Sequence, residues 1–220
     1  MHAVGIVAAA GSGLRLGADR PKALVPLAGR PLVAWAVETL LAGGVDDVVV
    51  AVPAPQRADF AAALPGIDLV EGGATRTASV RAALAAAGER SGAVLIHDAA
   101  RPLTPPDVVV RVLDALLAGA RAVVPVLPVV DTTVVVDGDG LITDAVPRGP
   151  LRRVQTPQGF SRAVLAAAYV ALPAGAELTD DAAVVRAAGV PVRTVDGDER
   201  AAKVTVAHDL ALAELLVAAR

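Results

Sequence analysis

Ala3-Val4-Gly5-Ile6-Val7-Ala8-Ala9-Ala10-Gly11-Ser12-Gly13-Leu14-Arg15-Leu16-Gly17 opens the chain with eight residues lacking any polar side chain and then breaks into glycines. An unbroken apolar run of this length that ends in a glycine turn reads as a strand buried on both faces, the first of a parallel sheet. After Pro31, the residues Val33, Ala36, Val37, Leu40 and Leu41 follow helical spacing up to Gly43-Gly44, and Val48 to Val52 is a second apolar strand. Together these segments make a βαβ unit. The same rhythm predicts a short strand at Asp68 to Val70, a helix through Val80, Ala83, Leu84 and Ala87, and a strand at Ala93 to Ile96. A helix opened by Pro105-Pro106-Asp107 and a strand at Ala122 to Val126 follow. The expected fold is α/β and Rossmann-like: a mostly parallel sheet with helices on both faces.

The rhythm breaks between Val129 and Gln155. Thr132 to Val136, the turn Asp137-Gly138-Asp139-Gly140 and Leu141 to Val146 read as an inserted β-hairpin. Two alternating strands cannot bury a core alone, so this arm is expected to pack on its parent domain or on another subunit. At 220 residues and 55% hydrophobic composition, one domain over 1–220 is expected, with the arm inserted at about 129–155.

Composition narrows the function. A net charge of −3, only 2% aromatics and dispersed Lys and Arg disfavour nucleic acid as a partner. With no cysteines, disulfides and thiolate metal sites are excluded. Every apolar run is broken by Gly, Pro or charge well short of about 18 residues, and Met1-His2 runs into the first strand without a charged leader. No membrane association and a cytoplasmic location are the expectation. His2, His97 and His208 form no metal-ligand spacing.

Two segments carry chemistry. Glycines after the first strand let backbone N–H groups approach a phosphate, although Gly11, Gly13 and Gly17 also fit a plain strand-to-helix turn. Arg15 and Pro21-Lys22 add two cations that suit a triphosphate, and the lack of Gly-Lys-Ser/Thr excludes a Walker A loop. His97-Asp98-Ala99-Ala100-Arg101-Pro102 follows the strand at Ala93 to Ile96, at the end where open α/β sheets bind ligands. There Asp98 suits Mg²⁺ and Arg101 suits a phosphate; an Asp–Arg pair that merely braces the loop fits equally.

Taken together, Ala9-Ala10-Gly11-x-Gly13-x-Arg15, Pro21-Lys22, Gly72-Gly73-x-x-Arg76-x-x-Ser79-Val80, His97 to Pro102, Asp131-Thr132, Thr156-Pro157-Gln158, Thr179-Asp180-Asp181-Ala182 and Lys203-Val204-Thr205 span nearly the whole chain. In order and interval they resemble the sugar-nucleotidyltransferases, and within them the methylerythritol phosphate cytidylyltransferases. The resemblance implies transfer of CMP from CTP to 2-C-methyl-D-erythritol 4-phosphate with release of pyrophosphate, a step of non-mevalonate isoprenoid precursor synthesis. It further implies that Ala9, Ala10, Gly11, Gly13, Gly73, Ala74 and Ser79 surround the nucleotide. By the same resemblance Arg15, Lys22 and Lys203 stabilise charge on the reacting phosphates, and Mg²⁺ bridges phosphate oxygens near Asp98. The acceptor would meet Asp98, Ala99, Arg101 and Thr179, with Thr132, Arg148 and Thr156 reaching across from the arm of a homodimer partner. Arg152 and Arg153 stand in reserve for Arg148. Ala74 occupies a position that is often Asp in the family: a backbone contact there would make the change harmless, whereas a carboxylate contact would alter base selectivity.

Plainer structural roles fit several of the same residues. Thr75 to Ser79 fits a helix N-terminus with hydroxyl caps, Thr179-Asp180-Asp181 fits one capped by Thr179, and Lys203 fits a strand-edge lysine. Other readings are a cytidylyltransferase for another polyol phosphate, such as ribitol 5-phosphate, and a non-catalytic nucleotide-sensing domain. A dinucleotide oxidoreductase fits poorly, because Val52-Pro53-Ala54 supplies no acid for a ribose.

Overall fold

The computed structural model describes residues 1–9, 20–88, 91–173, 176 and 178–219. Strand β1 (Ala3–Ala8) is flanked in parallel by β4 (Asp47–Val52) and β6 (Ala93–Asp98), and β4 pairs in parallel with β5 (Asp68–Glu71). Beyond β6 lies β11 (Gln158–Ser161), antiparallel to both β6 and β7 (Ala122–Pro128). Strand β10 (Arg152–Val154) continues the line of β11 along β7, with the register offset by two residues across 155–157. On the other edge of β7, β12 (Arg193–Asp196) pairs in parallel. The expected mostly parallel sheet is present, interrupted by the antiparallel line of β10 and β11.

Alternation along each strand divides the core into two layers. Ala3 and Val7 of β1 and Leu95 of β6 face helices α1 (Leu32–Ala42), α2 (Arg57–Ala63) and α4 (Pro106–Leu117), through Val37, Leu40, Phe60, Val109 and Val112. Val4, Ile6 and Ile96 face α3 (Arg76–Ala86), α5 (Arg162–Ala171) and α6 (Asp181–Ala187), through Val80, Leu84, Leu165 and Val185. A strand with both faces covered must be apolar at every position, which is why β1, β4 and β6 read as continuous runs. Helices α1 and α4 end alike, with Gly44 (φ +93°) and Gly119 (φ +96°) in the left-handed region. There Val45 N–H reaches the Leu40 carbonyl and Ala120 N–H reaches that of Ala115, the double-bonded glycine stop that satisfies the last helical carbonyls.

A short hairpin, β2 (Pro26–Leu27) and β3 (Arg30–Pro31), precedes α1, and α7 (Ala207–Ala218) closes over it: Ala28 N–H donates to Glu214 at 2.9 Å. The arm is a separate two-stranded sheet of β8 (Thr133–Val136) and β9 (Ile142–Val146), turned at Asp137, whose carboxylate accepts from Asp139 N–H and Leu141 N–H. Arg152 to Val154, expected within the arm, instead belongs to the main sheet.

Candidate functional site

The direction of chain progression across the sheet reverses at β1, with β4 on one side and β6 on the other, and a crevice at the carboxyl ends of such strands is where α/β sheets receive ligands. Ala9 and Asp98 stand at those ends. Three cations from different parts of the chain converge on Asp98: Lys203 Nζ lies 2.8 Å from Oδ2, Arg76 Nε 3.6 Å from Oδ1 and Arg101 Nε 3.8 Å from Oδ2. Burial on its own would raise the Asp98 carboxyl, but Arg76, Lys203 and Arg101 outweigh it and hold the group well below the usual carboxylate range. Asp98 is an anion at every physiological pH.

Thr156 seats the backbone beneath that anion. Its hydroxyl oxygen accepts from Asp98 N–H at 3.1 Å and lies 2.8 Å from His97 Nδ1. His97 Nε2 lies 3.3 Å from the Arg101 carbonyl, which can only accept, so Nε2 carries the proton and the bare Nδ1 receives the hydroxyl proton of Thr156. Burial, with Arg101 nearby, lowers the His97 pKa to about 4 against the pull of Asp98, keeping the ring neutral in this tautomer. Thr156 was expected to reach in from a partner's arm. It is instead 4% exposed inside the same chain's sheet, because the antiparallel line that carries it runs beside β6.

Lys203 is no strand-edge lysine. It follows a tight turn at Glu199 to Ala201 that is held from several sides: Arg101 Nη1 donates to the Ala201 carbonyl at 2.7 Å, Val204 N–H to the Ala100 carbonyl at 2.8 Å and Arg111 Nε to the Asp196 carbonyl at 2.8 Å. Gln155, beside Thr156, binds the backbone of Asp198. Arg101 therefore braces the lysine loop as well as facing Asp98. Burial lowers its pKa while Asp98 opposes the shift.

On the nucleotide side, Thr75 caps α3 by accepting from Ala78 N–H at 3.1 Å, as the cap reading anticipates. Ser79 donates its hydroxyl to the Thr75 carbonyl at 2.8 Å and lies 3.3 Å from that of Gly73, so it shapes the exposed turn of Gly73 and Ala74 from below. A Cβ on Gly73 would collide with that of Ala78, which leaves glycine as the residue that fits. Ala9 is buried and gives its N–H to the Ala51 carbonyl at 3.0 Å. Lys22 opens a short turn, Lys22 to Leu24, anchored by buried Ala23 and Leu24. The predicted residues Ala10, Gly11, Gly13 and Arg15 lie outside the described residues.

Thr179 precedes α6, but the cap is Asp180, which accepts from Ala183 N–H at 2.8 Å and from Gln158 Nε2 at 2.9 Å. Carboxylates two bonds from the backbone make strong caps, so Asp180 takes the position expected for Thr179. Thr132 and Arg148 lie at the base of the arm and are exposed; Arg148 donates to the Val130 carbonyl. They are not gathered at Asp98 with Ala99, Arg101 and Lys203. Sequence reasoning assigned no role to Arg76, Tyr169 or Asp181. An inward acid at the first position of a helix leaves no periodic signal, and the Arg76–Asp181 contact joins residues 105 apart in the chain.

A mostly parallel sheet whose switch point carries a cation-bound carboxylate beside a glycine-containing turn is the setting in which α/β proteins receive phosphorylated ligands. Residues 3–219 match the family model described as IspD, 2-C-methyl-D-erythritol 4-phosphate cytidylyltransferase. The chain belongs to that family. It is 52% identical over 219 residues to the 2-C-methyl-D-erythritol 4-phosphate cytidylyltransferase of Nocardia farcinica, covering 97% of this chain and 93% of that one. It is 51% identical over 227 residues to the same-named protein of Saccharopolyspora erythraea, covering 99% and 100%. The crystal structure of 2-C-methyl-D-erythritol 4-phosphate cytidylyltransferase from Thermus thermophilus aligns over 99% of this chain and 100% of its own, with a TM-score of 0.81 and 40% identity.

Proposed function

We propose that the protein transfers CMP from CTP to 2-C-methyl-D-erythritol 4-phosphate. A phosphate oxygen of the acceptor attacks the α-phosphorus of CTP, the bond from that phosphorus to the bridging oxygen of the β-phosphate breaks, and pyrophosphate leaves. Family membership carries the acceptor's identity, and the convergence of Lys203, Arg76 and Arg101 on Asp98 at the sheet's switch point is the observation that supports the site. Because the acceptor is already an anionic nucleophile, the protein's work is to hold two anions together in line and to neutralise charge building on the leaving group. Lys203, Lys22 and Arg15 supply the positive charge, Gly73, Ala74 and Ser79 meet the cytidine together with Ala9, with Ala10, Gly11 and Gly13 assigned to the same side by the family resemblance, and Ala99, Arg101 and Thr179 border the acceptor.

Among the described residues no three His, Cys, Asp or Glu side chains group to hold a metal. One fixed, ionised carboxylate beside a triphosphate fits Mg²⁺, which keeps most of its waters and takes one or two carboxylates together with substrate phosphates. Asp98 is the residue that would meet it, and the bound ion would neutralise phosphate charge. The arm exposes Val134, Val135, Val136, Leu141 and Ile142, more apolar surface than a lone hairpin keeps in water, and this supports a homodimer in which Thr132 and Arg148 complete the partner's acceptor pocket. No helix among the described residues is long and apolar enough to cross a membrane, and the polyanionic substrates suit a cytoplasmic reaction.

The test is pyrophosphate release by the purified protein with Mg²⁺ and CTP, comparing 2-C-methyl-D-erythritol 4-phosphate, ribitol 5-phosphate and no acceptor. Release confined to the first supports the assignment. Release confined to ribitol 5-phosphate overturns the acceptor, and no release with either overturns the activity.

A further inference from the structure

Asp181 is fully buried, yet it is the first residue of α6 and would ordinarily point its carboxylate toward solvent at the helix N-terminus. Its side chain turns inward. Oδ1 accepts from the Tyr169 hydroxyl of α5 at 2.6 Å, and Oδ2 accepts from Arg76 Nη2, at the first position of α3, also at 2.6 Å. The same guanidinium presents Nε to Asp98 at 3.6 Å. Arg76 is thus held between two carboxylates, one buried and structural, one at the reacting end of β6.

The elements so joined are those on which the proposed reaction depends. Arg76 directly follows Thr75, which caps α3 just after the turn of Gly73 and Ala74 on the nucleotide side. Asp181 directly follows Asp180 and Thr179 on the acceptor side. Gln158 of β11 anchors this second segment to the sheet, accepting from Ala182 N–H at 2.9 Å while donating to Asp180. Only a planar fork can satisfy two carboxylates on different edges, so lysine would meet Asp181 or Asp98 with direction, not both. Burying a carboxylate such as Asp181 costs free energy unless every partner is in place, and Arg76 and Tyr169 together complete that set.

We propose that Arg76, seated by Asp181 and Tyr169, is a positioning residue that locks the cytidine-side turn and the acceptor-side segment at one separation around Asp98. This rests on the assignment of those two segments made above. Arg76 need not touch the reacting atoms to do so; it sets where Asp98 and the two half-sites stand, and small errors in such placement are expensive in rate.

The experiment compares Arg76→Lys, Tyr169→Phe and the double variant with the wild type in pyrophosphate release, in MgCTP binding by calorimetry without acceptor, and in thermal unfolding. Tyr169→Phe removes one oxygen from a site remote from substrate. Its expected effect is a several-fold fall in kcat with the KM for CTP little changed. Arg76→Lys should lower kcat by roughly 10- to 100-fold and weaken MgCTP binding, and the double variant should be no slower than Arg76→Lys, because both act through one link. Variants that unfold at lower temperature but keep the wild-type kcat at saturating substrates would overturn the proposal and leave a purely structural pair. If the wild type proves inactive with 2-C-methyl-D-erythritol 4-phosphate, the parent assignment fails by itself. MgCTP binding then decides: weakened by Arg76→Lys it supports the lock, unchanged it overturns it.

Discussion

Gln155 grips Asp198 by both backbone polar groups: its Nε2 donates to the Asp198 carbonyl at 2.8 Å, and its Oε1 accepts from Asp198 N–H at 3.0 Å. A side-chain amide used in this way replaces a missing strand partner. The approach is close because residue 197 is glycine; a Cβ there would collide with Gln155 Oε1. Gln155→Leu strands both Asp198 groups, so a loss of about 1–3 kcal/mol in stability is expected, readable by urea unfolding. Since the same loop carries Lys203, kcat should fall as well. Gly197→Ala should reproduce both effects by steric displacement alone.

Thr156→Val keeps the shape and removes the hydroxyl that serves His97 Nδ1 and Asp98 N–H together. Two buried groups then lack a partner, and a destabilisation of about 2–4 kcal/mol is expected. Thr156→Ser, which retains the hydroxyl, should recover most of it in the same thermal or urea measurement.

Stability should fall on mild acidification. Burial lowers the His97 pKa from 6.5 to about 4. Above 6.5 neither the folded nor the unfolded chain protonates this ring, whereas between 6.5 and 4 the unfolded chain gains a proton that the folded chain does not. The unfolding free energy therefore drops as pH falls through that window, by at most about 3 kcal/mol. Asp98, whose pKa is depressed by its three cations against the effect of burial, extends the loss below the ordinary carboxylate range. His97→Gln should flatten the slope between pH 6.5 and 4 and leave the steeper decline at lower pH.

Much of this was legible beforehand because β1, β4, β6 and the first part of β7 are covered on both faces and must be apolar throughout. The later strands gave no such signal. β10 is Arg-Arg-Val and exposed, β11 begins with a buried glutamine, and β12 is an edge strand with Arg193 and Asp196 at its ends. Helix α7 has apolar residues on every side, so its buried face has no pattern to mark it. Asp98, Arg101 and Lys203, which the resemblance gives to the reacting phosphates and the acceptor, lie together in the structure. Thr156 reads with the arm because nothing in the sequence marks the antiparallel return of β10 and β11 into the sheet, which seats it beside His97 and Asp98 of its own chain.

Lys203→Ala and Lys22→Ala should each lower kcat by roughly 10²–10³-fold, the range for removing a preorganised group that stabilises transition-state charge. Circular dichroism should show both variants folded. A kcat within a few-fold of wild type for either would remove that lysine from the catalytic set.

Ile142→Asp puts a charge in the exposed apolar patch of the arm. Sedimentation velocity should show a shift from dimer toward monomer, accompanied by loss of pyrophosphate release that excess protein partly restores. A dimer that survives the substitution with full activity would argue against an arm-mediated assembly.

The arm leaves and re-enters the main sheet across one cross-strand pair, Pro128 opposite Arg152, and that pairing closes its base whatever lies between. Chain added or removed beyond it changes only a loop whose closure cost grows slowly with length. The arm is thus a module joined at one place: between Thr132 and Arg148 at its base, a hairpin of different length can be grafted while the ladder of β7 and β10 keeps Gln155 and Thr156 in register. Variation in the hairpin's tip can proceed there without disturbing the backbone of Gln155 and Thr156 a few residues further along the chain.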